Sequence, residues 1–177
     1  MRANAHHHPA LRVSHLERAA QFYLEAFDGH WVTRPFVLKG DFAEMVFGGP
    51  EGLAYRVCHV GFDEGCVELF EFVEPVVPIE DIHPTRGNLL HFGVQVDDVP
   101  AALARVEAAG GRRIWPEVAI WGDASVIYVK DLDENVIELT DRTVGRIAEL
   151  TIATLPSRRP LTGRSRRPAR PRGTARS

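Results

Sequence analysis

The order of apolar and polar residues predicts alternating strands and helices along most of the chain. Between residues 92 and 96 apolar and polar positions alternate, as in a strand with one buried face. Residues 16–27 and 99–111 instead place apolar residues three and four positions apart, which is typical of a helix with one buried side. Strands and helices are therefore predicted to be interleaved.

Each predicted helix has residues suited to its ends. Ser14 and Glu17 have the spacing of a capping box at the start of the first helix. Asp98 is suited to cap the second helix, and Pro100 falls in its first turn, where proline is tolerated. Two glycines at 110–111 provide its end. Both helices are thus predicted from their boundaries as well as from their periodicity.

The chain contains an internal repeat. The segments HPALRVSH (residues 8–15) and HFGVQVDD (residues 91–98) share a histidine, then a small residue two positions later, an aliphatic residue, a polar residue and a valine. A predicted helix follows each segment. Each half later contains a β-prone apolar run with a central glutamate, at residues 66–72 and 136–142. We therefore expect the two halves to share one fold.

Turn residues separate further short β-prone runs within each half. These runs lie between the predicted helix and the glutamate strand, at residues 31–37, 53–60, 112–114 and 125–129. We predict an α+β fold of two tandem βαβββ modules that form a curved, barrel-like mixed sheet around a cavity. Module one is expected at about 6–75 and module two at about 88–145, both within a single domain covering 1–155.

Four ionisable side chains are predicted to face away from the helices. Side chains alternate along a strand, so His8 shares a face with Arg12, and Glu68, His91 and Glu138 lie on the corresponding faces. If the two sheets close on each other, both histidines and both glutamates line one interior. Two buried carboxylates are costly unless a positive charge lies between them. The sequence therefore predicts a metal cavity that holds a divalent ion, with Zn, Ni, Co, Mn and Fe all suited to imidazole and carboxylate ligands.

The charged residues are distributed unevenly. The chain has 21 Lys and Arg against 24 Asp and Glu, for a formal net charge of −3. Residues 156–177 contain eight arginines, four prolines and no acidic residue, so residues 1–155 are strongly acidic. An acidic body argues against nucleic-acid binding. The basic segment lacks the apolar residues needed for a core and is predicted to be a disordered tail.

The chain carries no signal for a membrane. No segment has the roughly 20 apolar residues of a membrane span, and the first residues lack the apolar core of a signal peptide. Cys58 and Cys66 flank a predicted turn without forming a CxxC motif, and we expect both to be reduced thiols. These features predict a cytoplasmic protein with no membrane partner.

The repeat resembles the vicinal oxygen chelate superfamily, which includes glyoxalase I, methylmalonyl-CoA epimerase, extradiol dioxygenases, fosfomycin-resistance enzymes and the metal-free bleomycin-resistance binders. The resemblance covers residues 8 to about 142 and rests mainly on HPALRVSHLERAAQFY (8–23), LLHFGVQVDDV (89–99) and VIYVKDLDENVIELTD (126–141). The last segment is similar to the family's strand, Asp-Pro-Asp-Gly-Asn turn and glutamate strand. Leu132 and Glu134 stand in place of that proline and glycine.

The resemblance implies a set of site residues. By position, the implied metal ligands are His8, Glu68, His91 and Glu138, and the two preceding histidines, His6 and His7, offer alternative registers for the first of them. The resemblance also implies that Glu138 is the proton acceptor and Glu68 its symmetry-related catalytic partner. Candidates for substrate contact, at cavity-facing strand positions, are Arg12, Tyr55 and His59.

The resemblance further implies lyase or isomerase chemistry. Glyoxalase I and the epimerase resemble this chain in keeping all four ligand positions, whereas ring-cleaving dioxygenases use two histidines and one glutamate. The implied reaction moves a proton next to the carbonyl of a small oxygenated substrate or thioester, while the metal polarises the carbonyl oxygen. Paired modules of this family commonly assemble as dimers, so a homodimer is also expected.

Two other functions stay open. An extradiol-type ring-cleaving dioxygenase would need iron or manganese, an open coordination position and oxygen uptake. A small-molecule binding protein of the same fold would hold no metal. The sequence also leaves open the substrate, the identity of the metal and any use of glutathione.

Overall fold

The computed structural model describes residues 6–76 and 89–154, named here module one and module two. Module one contains β1 (Ala10–Arg12), α1 (Leu16–Ala26), β2 (His30–Lys39), α2 (Asp41–Phe47), β3 (Ala54–Gly61) and β4 (Cys66–Glu74). Module two contains β5 (Phe92–Gln95), α3 (Val99–Ala108), β6 (Arg112–Arg113), β7 (Ala119–Trp121), β8 (Ala124–Lys130), β9 (Val136–Thr140) and α4 (Val144–Thr154).

Each module builds its own mixed sheet. Sheet one has the strand order β1-β4-β3-β2, and sheet two has the order β5-β9-β8-β6, with β7 also paired to β8. The first strand of each module runs parallel to its last strand, and the other pairs are antiparallel. The predicted α+β fold of two βαβββ modules is confirmed, with one extra helix in each module and an extra short strand in the second.

Strand residues alternate between two environments, as the period of two requires. In sheet one, Leu11 and Leu69 are buried on the side that packs against α1. Arg12 and Glu68, their neighbours along the chain, are only half-buried on the opposite side. The alternation predicted for the first histidine-containing segment therefore holds in three dimensions.

The two predicted helices are present, but one cap differs. Asp98 caps α3 as predicted and accepts a hydrogen bond from the Ala101 N–H (2.8 Å). The cap of α1 is His15 rather than Ser14. The Ser14 N–H instead donates to Asp133 Oδ1 in module two (2.9 Å). A contact with the other module thus takes the place of the predicted capping box.

The extra helices, α2 and α4, cover the faces of the sheets that lie opposite α1 and α3. α2 packs on Tyr55 of sheet one through Ala43, and α4 packs on Val126 of sheet two through Leu150. Each helix buries a single residue of its own. A helix with so narrow a buried side has little apolar periodicity, which is why the sequence pattern did not predict either one.

One apolar core joins the two modules. It contains the helix-facing sides of both sheets together with α1 and α3, which pack against each other. Leu69 of sheet one and Leu139 of sheet two both belong to it and are fully buried. The modules therefore meet through their helical sides. The opposite faces, which carry Glu68 and Glu138, point away from this core.

This packing corrects one prediction about the fold. The sequence predicts that the two sheets close into one barrel-like sheet around a metal cavity. Within residues 6–76 and 89–154 they form two separate sheets that are not closed into a barrel. The reason is that each sheet has its largest apolar surface on its helical side, so burying those sides together keeps the other faces apart.

Polar contacts reinforce the packing between modules at the turn that follows β8. The Tyr23 hydroxyl of α1 donates to Asp131 Oδ2 of this turn (2.7 Å). Asp131 Oδ1 accepts from the N–H groups of Asp133 (2.9 Å) and Asn135 (2.8 Å). Burial raises the pKa of the Asp131 carboxyl, and the hydrogen bonds from Asn135 and Tyr23 oppose that rise. The turn thus contains a buried hydrogen-bond acceptor, Asp131, to which Tyr23 of module one donates.

The same turn departs from the family pattern at Leu132 and at Glu134, and the second departure affects the backbone. Glu134 stands where that pattern has glycine and adopts a left-handed φ of 69°. This conformation is uncommon for residues other than glycine. The Glu134 carboxylate lies 2.6 Å from Lys130 Nζ and also pairs with Arg112. The substitution therefore keeps the turn and adds surface ion pairs without touching Glu138.

Some predictions lie outside the described residues. The tail at 156–177 and the segment 77–88 between the modules are among them, so the tail and the domain limits stay predictions. In the part of the chain that the structure describes, no helix is long and apolar enough to cross a membrane.

Replacing Tyr23 by Phe is expected to lower the free energy of unfolding by about 1.5–3 kcal/mol. The ring stays in the core, but the buried Asp131 carboxylate loses the hydroxyl donor. Urea unfolding followed by circular dichroism measures the change. In an Asp131→Asn background the same replacement should cost less, because a neutral amide is less costly to leave unpaired. A loss below about 0.5 kcal/mol in the unmodified background would contradict this role.

Candidate metal-binding site

The predicted histidine and glutamate of module one lie side by side. In the parallel pair of β1 and β4, Ala10 lies opposite Glu68, and His8 precedes that position by two residues. His8 Nε2 is 3.0 Å from Glu68 Oε2. The two side chains are 28% and 18% exposed, so both are accessible to a ligand while largely enclosed by protein.

Module two repeats this geometry. In the parallel pair of β5 and β9, Gly93 lies opposite Glu138, and His91 again precedes that position by two residues. His91 Nε2 is 3.0 Å from Glu138 Oε2. The internal repeat seen in the sequence therefore extends to the register of the strands and to the distance between the side chains.

A third side chain contacts each glutamate from the neighbouring antiparallel strand. His59 lies opposite Glu68, with its Nε2 atom 3.2 Å from Glu68 Oε1. Tyr128 lies opposite Glu138, and its hydroxyl donates to Glu138 Oε2 (2.7 Å). Each sheet thus carries a cluster of three polar side chains, named here half-site one (His8, His59, Glu68) and half-site two (His91, Tyr128, Glu138).

Sequence reasoning missed Tyr128. Strand alternation identifies His59 only as a cavity-facing candidate for substrate contact and does not identify its counterpart in module two. The available signal was spacing, since His59 precedes Glu68 by nine residues and Tyr128 precedes Glu138 by ten. Because β3 and β8 are the strands next to β4 and β9, similar spacing places both residues beside a glutamate.

Aromatic rings surround the Tyr128 hydroxyl. The ring of Tyr128 packs against Trp115, with centroids 4.8 Å apart, and against the imidazole of His91 at 5.2 Å. Burial raises the pKa of Tyr128 to about 12, and the hydrogen bond to Glu138 and the charge of that carboxylate act in the same direction. Tyr128 is therefore a neutral donor toward Glu138 over the ordinary range of pH.

The two half-sites are not brought together. Half-site one belongs to sheet one and half-site two to sheet two, on faces that point away from the shared core. Among the described residues, no group of three or more His, Cys, Asp or Glu side chains is placed so that it could hold a metal ion. The predicted convergence of His8, Glu68, His91 and Glu138 therefore does not occur among them.

The donor chemistry of the half-sites nevertheless suits a divalent metal. Imidazole nitrogen and carboxylate oxygen are ligands that Zn, Ni, Co, Mn and Fe accept. Each histidine–glutamate pair offers two donors, which is half of a four-ligand set. The residues that fit the metal implied by the family are thus His8 and Glu68 on one sheet, and His91 and Glu138 on the other.

The remaining predicted site residues lie further along the same face of sheet one. The Arg12 guanidinium is 5.7 Å from the centre of the Phe72 ring. Tyr55 is fully buried among Phe47, Phe70 and Phe72, beneath α2. Burial and the charge of Glu68 raise the pKa of the Tyr55 hydroxyl. The face therefore has a polar end at half-site one and an aromatic end under α2. Substrate contact by Arg12, Tyr55 and His59 stays a prediction.

Comparison with known proteins tests the resemblance. The sequence profile of the Glyoxalase/Bleomycin resistance protein/Dioxygenase superfamily matches residues 5–139, which is most of the chain. The chain belongs to this superfamily. Among curated proteins, no sequence matches it significantly.

Solved structures confirm the superfamily fold. A glyoxalase family protein from Bacillus cereus is 16% identical, with a TM-score of 0.68 over 79% of this chain and 95% of that chain. Glyoxalase I from Leishmania major, described as trypanothione-dependent, is 16% identical, with a TM-score of 0.57 over 85% of this chain and 96% of its own. The fosfomycin resistance protein FosX from Listeria monocytogenes is 16% identical, with a TM-score of 0.55 over 82% and 98%. At these identities the likeness concerns the fold alone.

Replacing Glu138 by Gln is expected to lower the pKa of Tyr128 from about 12 toward its ordinary value of 10, because one charge that opposes ionisation is removed while burial remains. Carbon-13 NMR of ring-labelled tyrosine in the metal-free protein measures each of the three tyrosines. The matched control is Glu68→Gln, which should lower the pKa of Tyr55 and leave Tyr128 unchanged. A shift of Tyr128 in the control would contradict the separation of the two half-sites.

Proposed function

We propose that the protein is a metal-dependent lyase or isomerase of the glyoxalase I type. It moves a proton next to the carbonyl of a small oxygenated substrate or thioester. The observation that supports this proposal is the equal placement of one histidine–glutamate pair in each sheet, with an N–O distance of 3.0 Å in both. One such pair can serve a local structural purpose, but two pairs at equivalent strand positions favour a shared chemical purpose.

In this proposal His8, Glu68, His91 and Glu138 hold the metal, whether Zn, Ni, Co, Mn or Fe. A bound divalent ion supplies Lewis acidity, which polarises a carbonyl oxygen and makes the neighbouring C–H more acidic. His8, Glu68 and Glu138 are half-buried and His91 is 38% exposed, so the protein keeps part of the surrounding water away, which strengthens the electrostatic interactions there.

The contacts of the two glutamates favour different roles. Both contacts of Glu138, from His91 and Tyr128, go to Oε2. Those of Glu68 are divided, with His8 at Oε2 and His59 at Oε1. We therefore assign Glu138 as the general base: its Oε1 atom takes the proton from carbon and returns it, while the contacts at Oε2 hold the carboxylate in place. Glu68 is the symmetry-related catalytic partner.

We further propose a homodimer in which half-site one of each copy faces half-site two of the other. Within one chain the two half-sites face away from the shared core. A two-fold axis would bring them together twice and create two equal sites. Phe42 and Met45 of α2 are 56% and 69% exposed beside sheet one, and such apolar surface favours a partner on this side.

The proposed substrate is a small molecule whose oxygen atoms face the polar end of the sheet-one face. Arg12 lies beyond that polar end on the same face and favours a substrate with a further anionic group. We expect the protein to act in the cytoplasm, where the unpaired thiols Cys58 and Cys66 would stay reduced.

Replacing Glu138 by Gln should slow proton exchange about 10²- to 10⁴-fold, because the proton acceptor is lost while the shape is kept. Metal-loaded protein is incubated in D₂O with hemithioacetals and acyl thioesters, and proton NMR follows exchange of the hydrogen next to the carbonyl. The control is Glu149→Gln, a carboxylate that is 67% exposed and pairs with Arg146, which should keep the original rate. Unchanged exchange in Glu138→Gln would remove the base assignment.

The same protein preparations distinguish the proposed lyase or isomerase from the dioxygenase and from the metal-free binding protein. Oxygen uptake with catechols by iron-loaded protein, without proton exchange, would favour the dioxygenase. Tight binding of small molecules by protein that takes up no metal would favour the binding protein. Either result would contradict the lyase or isomerase proposal.

A mixture of His8→Ala and His91→Ala chains is expected to recover metal binding that neither variant has alone. In a two-fold dimer with sites shared between copies, half of the randomly paired molecules contain one intact site, giving about a quarter of the unmodified metal content. Metal is measured after the variants are unfolded together, refolded and dialysed, and each variant treated alone serves as the control. A mixture that binds no more metal than the separate variants would contradict a shared site.

A further inference from the structure

Three polar side chains form a row across three adjacent strands of sheet one. Thr33 of β2 lies opposite His59 of β3, and His59 lies opposite Glu68 of β4. Paired residues on adjacent strands project to the same side of a sheet, so the three side chains lie in one row. The row ends at Glu68, which is proposed as a metal ligand. His59 is 20% exposed and Glu68 is 18% exposed, so the row is mostly screened from water.

The hydrogen bonds along this row determine which nitrogen of His59 carries a proton. The His59 backbone N–H donates to Thr33 Oγ1 (3.0 Å), and the same oxygen lies 2.8 Å from His59 Nδ1. A carboxylate only accepts hydrogen bonds, so a proton on Nε2, which lies 3.2 Å from Glu68 Oε1, gives this contact a donor. In a neutral imidazole Nδ1 is then an acceptor and receives the Thr33 hydroxyl proton. Each donor in this row of hydrogen bonds then has an acceptor.

Half-site two has a donor in the equivalent position. Tyr128 occupies the place opposite Glu138 that His59 occupies opposite Glu68, and its hydroxyl donates to the carboxylate. A phenol with a pKa raised to about 12 stays protonated and neutral. The repeat therefore pairs each glutamate with one histidine just before a parallel strand and one further polar side chain on the antiparallel strand.

We propose that His59 is a positioning residue for Glu68, held by Thr33 in the tautomer with Nε2 protonated, and is neither a metal ligand nor a substrate contact. By bonding to Oε1, His59 leaves Glu68 Oε2 beside His8 Nε2. These are the two atoms of the histidine–glutamate pair that are proposed to bind the metal. This inference rests on the proposed metal site, because Glu68 has to be a ligand for its orientation to affect metal affinity. Hydrogen bonds of this kind to metal ligands typically change affinity 10- to 100-fold.

The first test is nitrogen-15 NMR of histidine-labelled protein, with and without Zn²⁺, a diamagnetic metal. The His59 signals are assigned by their loss in His59→Gln. We expect His59 to keep its Nε2 proton when zinc is added, whereas His8 and His91 bind through unprotonated nitrogens. Loss of the Nε2 proton of His59 on zinc addition would make it a ligand and overturn the proposal.

The second test is zinc affinity by calorimetry in four variants. Thr33→Val removes the hydroxyl with little change of shape and should weaken zinc binding about 10-fold, while Thr33→Ser, which keeps the hydroxyl, should bind nearly as the unmodified protein does. His59→Gln retains an N–H near the position of Nε2 and should lose less affinity than His59→Ala. Unchanged affinity in Thr33→Val, or complete loss of binding in His59→Ala, would overturn the proposal.

A third measurement keeps this proposal separate from the proposed function. In the metal-free protein, Glu68→Gln should shift the His59 Nε2 proton resonance upfield, because a neutral amide accepts a weaker hydrogen bond than a carboxylate. If the unmodified protein binds no zinc, the metal site fails, and this shift still tests the row. A resonance that does not move in Glu68→Gln would overturn the positioning role whether or not zinc binds.

Discussion

The apolar core shared by the two modules is the constraint on which the rest of the structure depends. α1 and α3 pack against each other between the helical sides of the two sheets, and fully buried residues of both sheets contribute to this core. Once these sides are buried together, the opposite face of each sheet has to turn outward. The polar side chains of both half-sites lie on those outward faces. A core of this kind therefore favours a site completed between chains over one enclosed within a single chain.

Strand register then gives each half-site its geometry. The parallel pairing of the first and last strands fixes a histidine two residues before the position opposite a glutamate, in both modules. The antiparallel neighbour adds a donor, which is an imidazole in one sheet and a phenol in the other. The repeat thus preserves the pair proposed to bind metal while varying the group that orients it. The same difference leaves the two glutamates with different contacts, which supports different roles for them.

Much of the fold was predictable from sequence. The predicted strands, both main helices and the placement of one histidine and one glutamate on the face away from the helices in each half followed from the repeat and from alternation, because these depend on local periodicity. The closure of the sheets was wrongly predicted, since alternation says which face a residue occupies but not which faces meet. Helices α2 and α4 were missed because each buries one residue, and the cap of α1 was misplaced because Ser14 bonds to module two. Tyr128 was missed because its proximity to Glu138 depends on strand pairing rather than on a motif.

The measurement that tests this account most directly is metal content per chain by plasma mass spectrometry, after dialysis against mixed divalent metals and then against metal-free buffer. It compares the unmodified protein with Glu68→Ala and Glu138→Ala, one ligand removed from each half-site. The account predicts about one metal ion per chain in the unmodified protein and a similar loss in both variants, because one site draws on both sheets. No retained metal in the unmodified protein, or full retention in either variant, would contradict it.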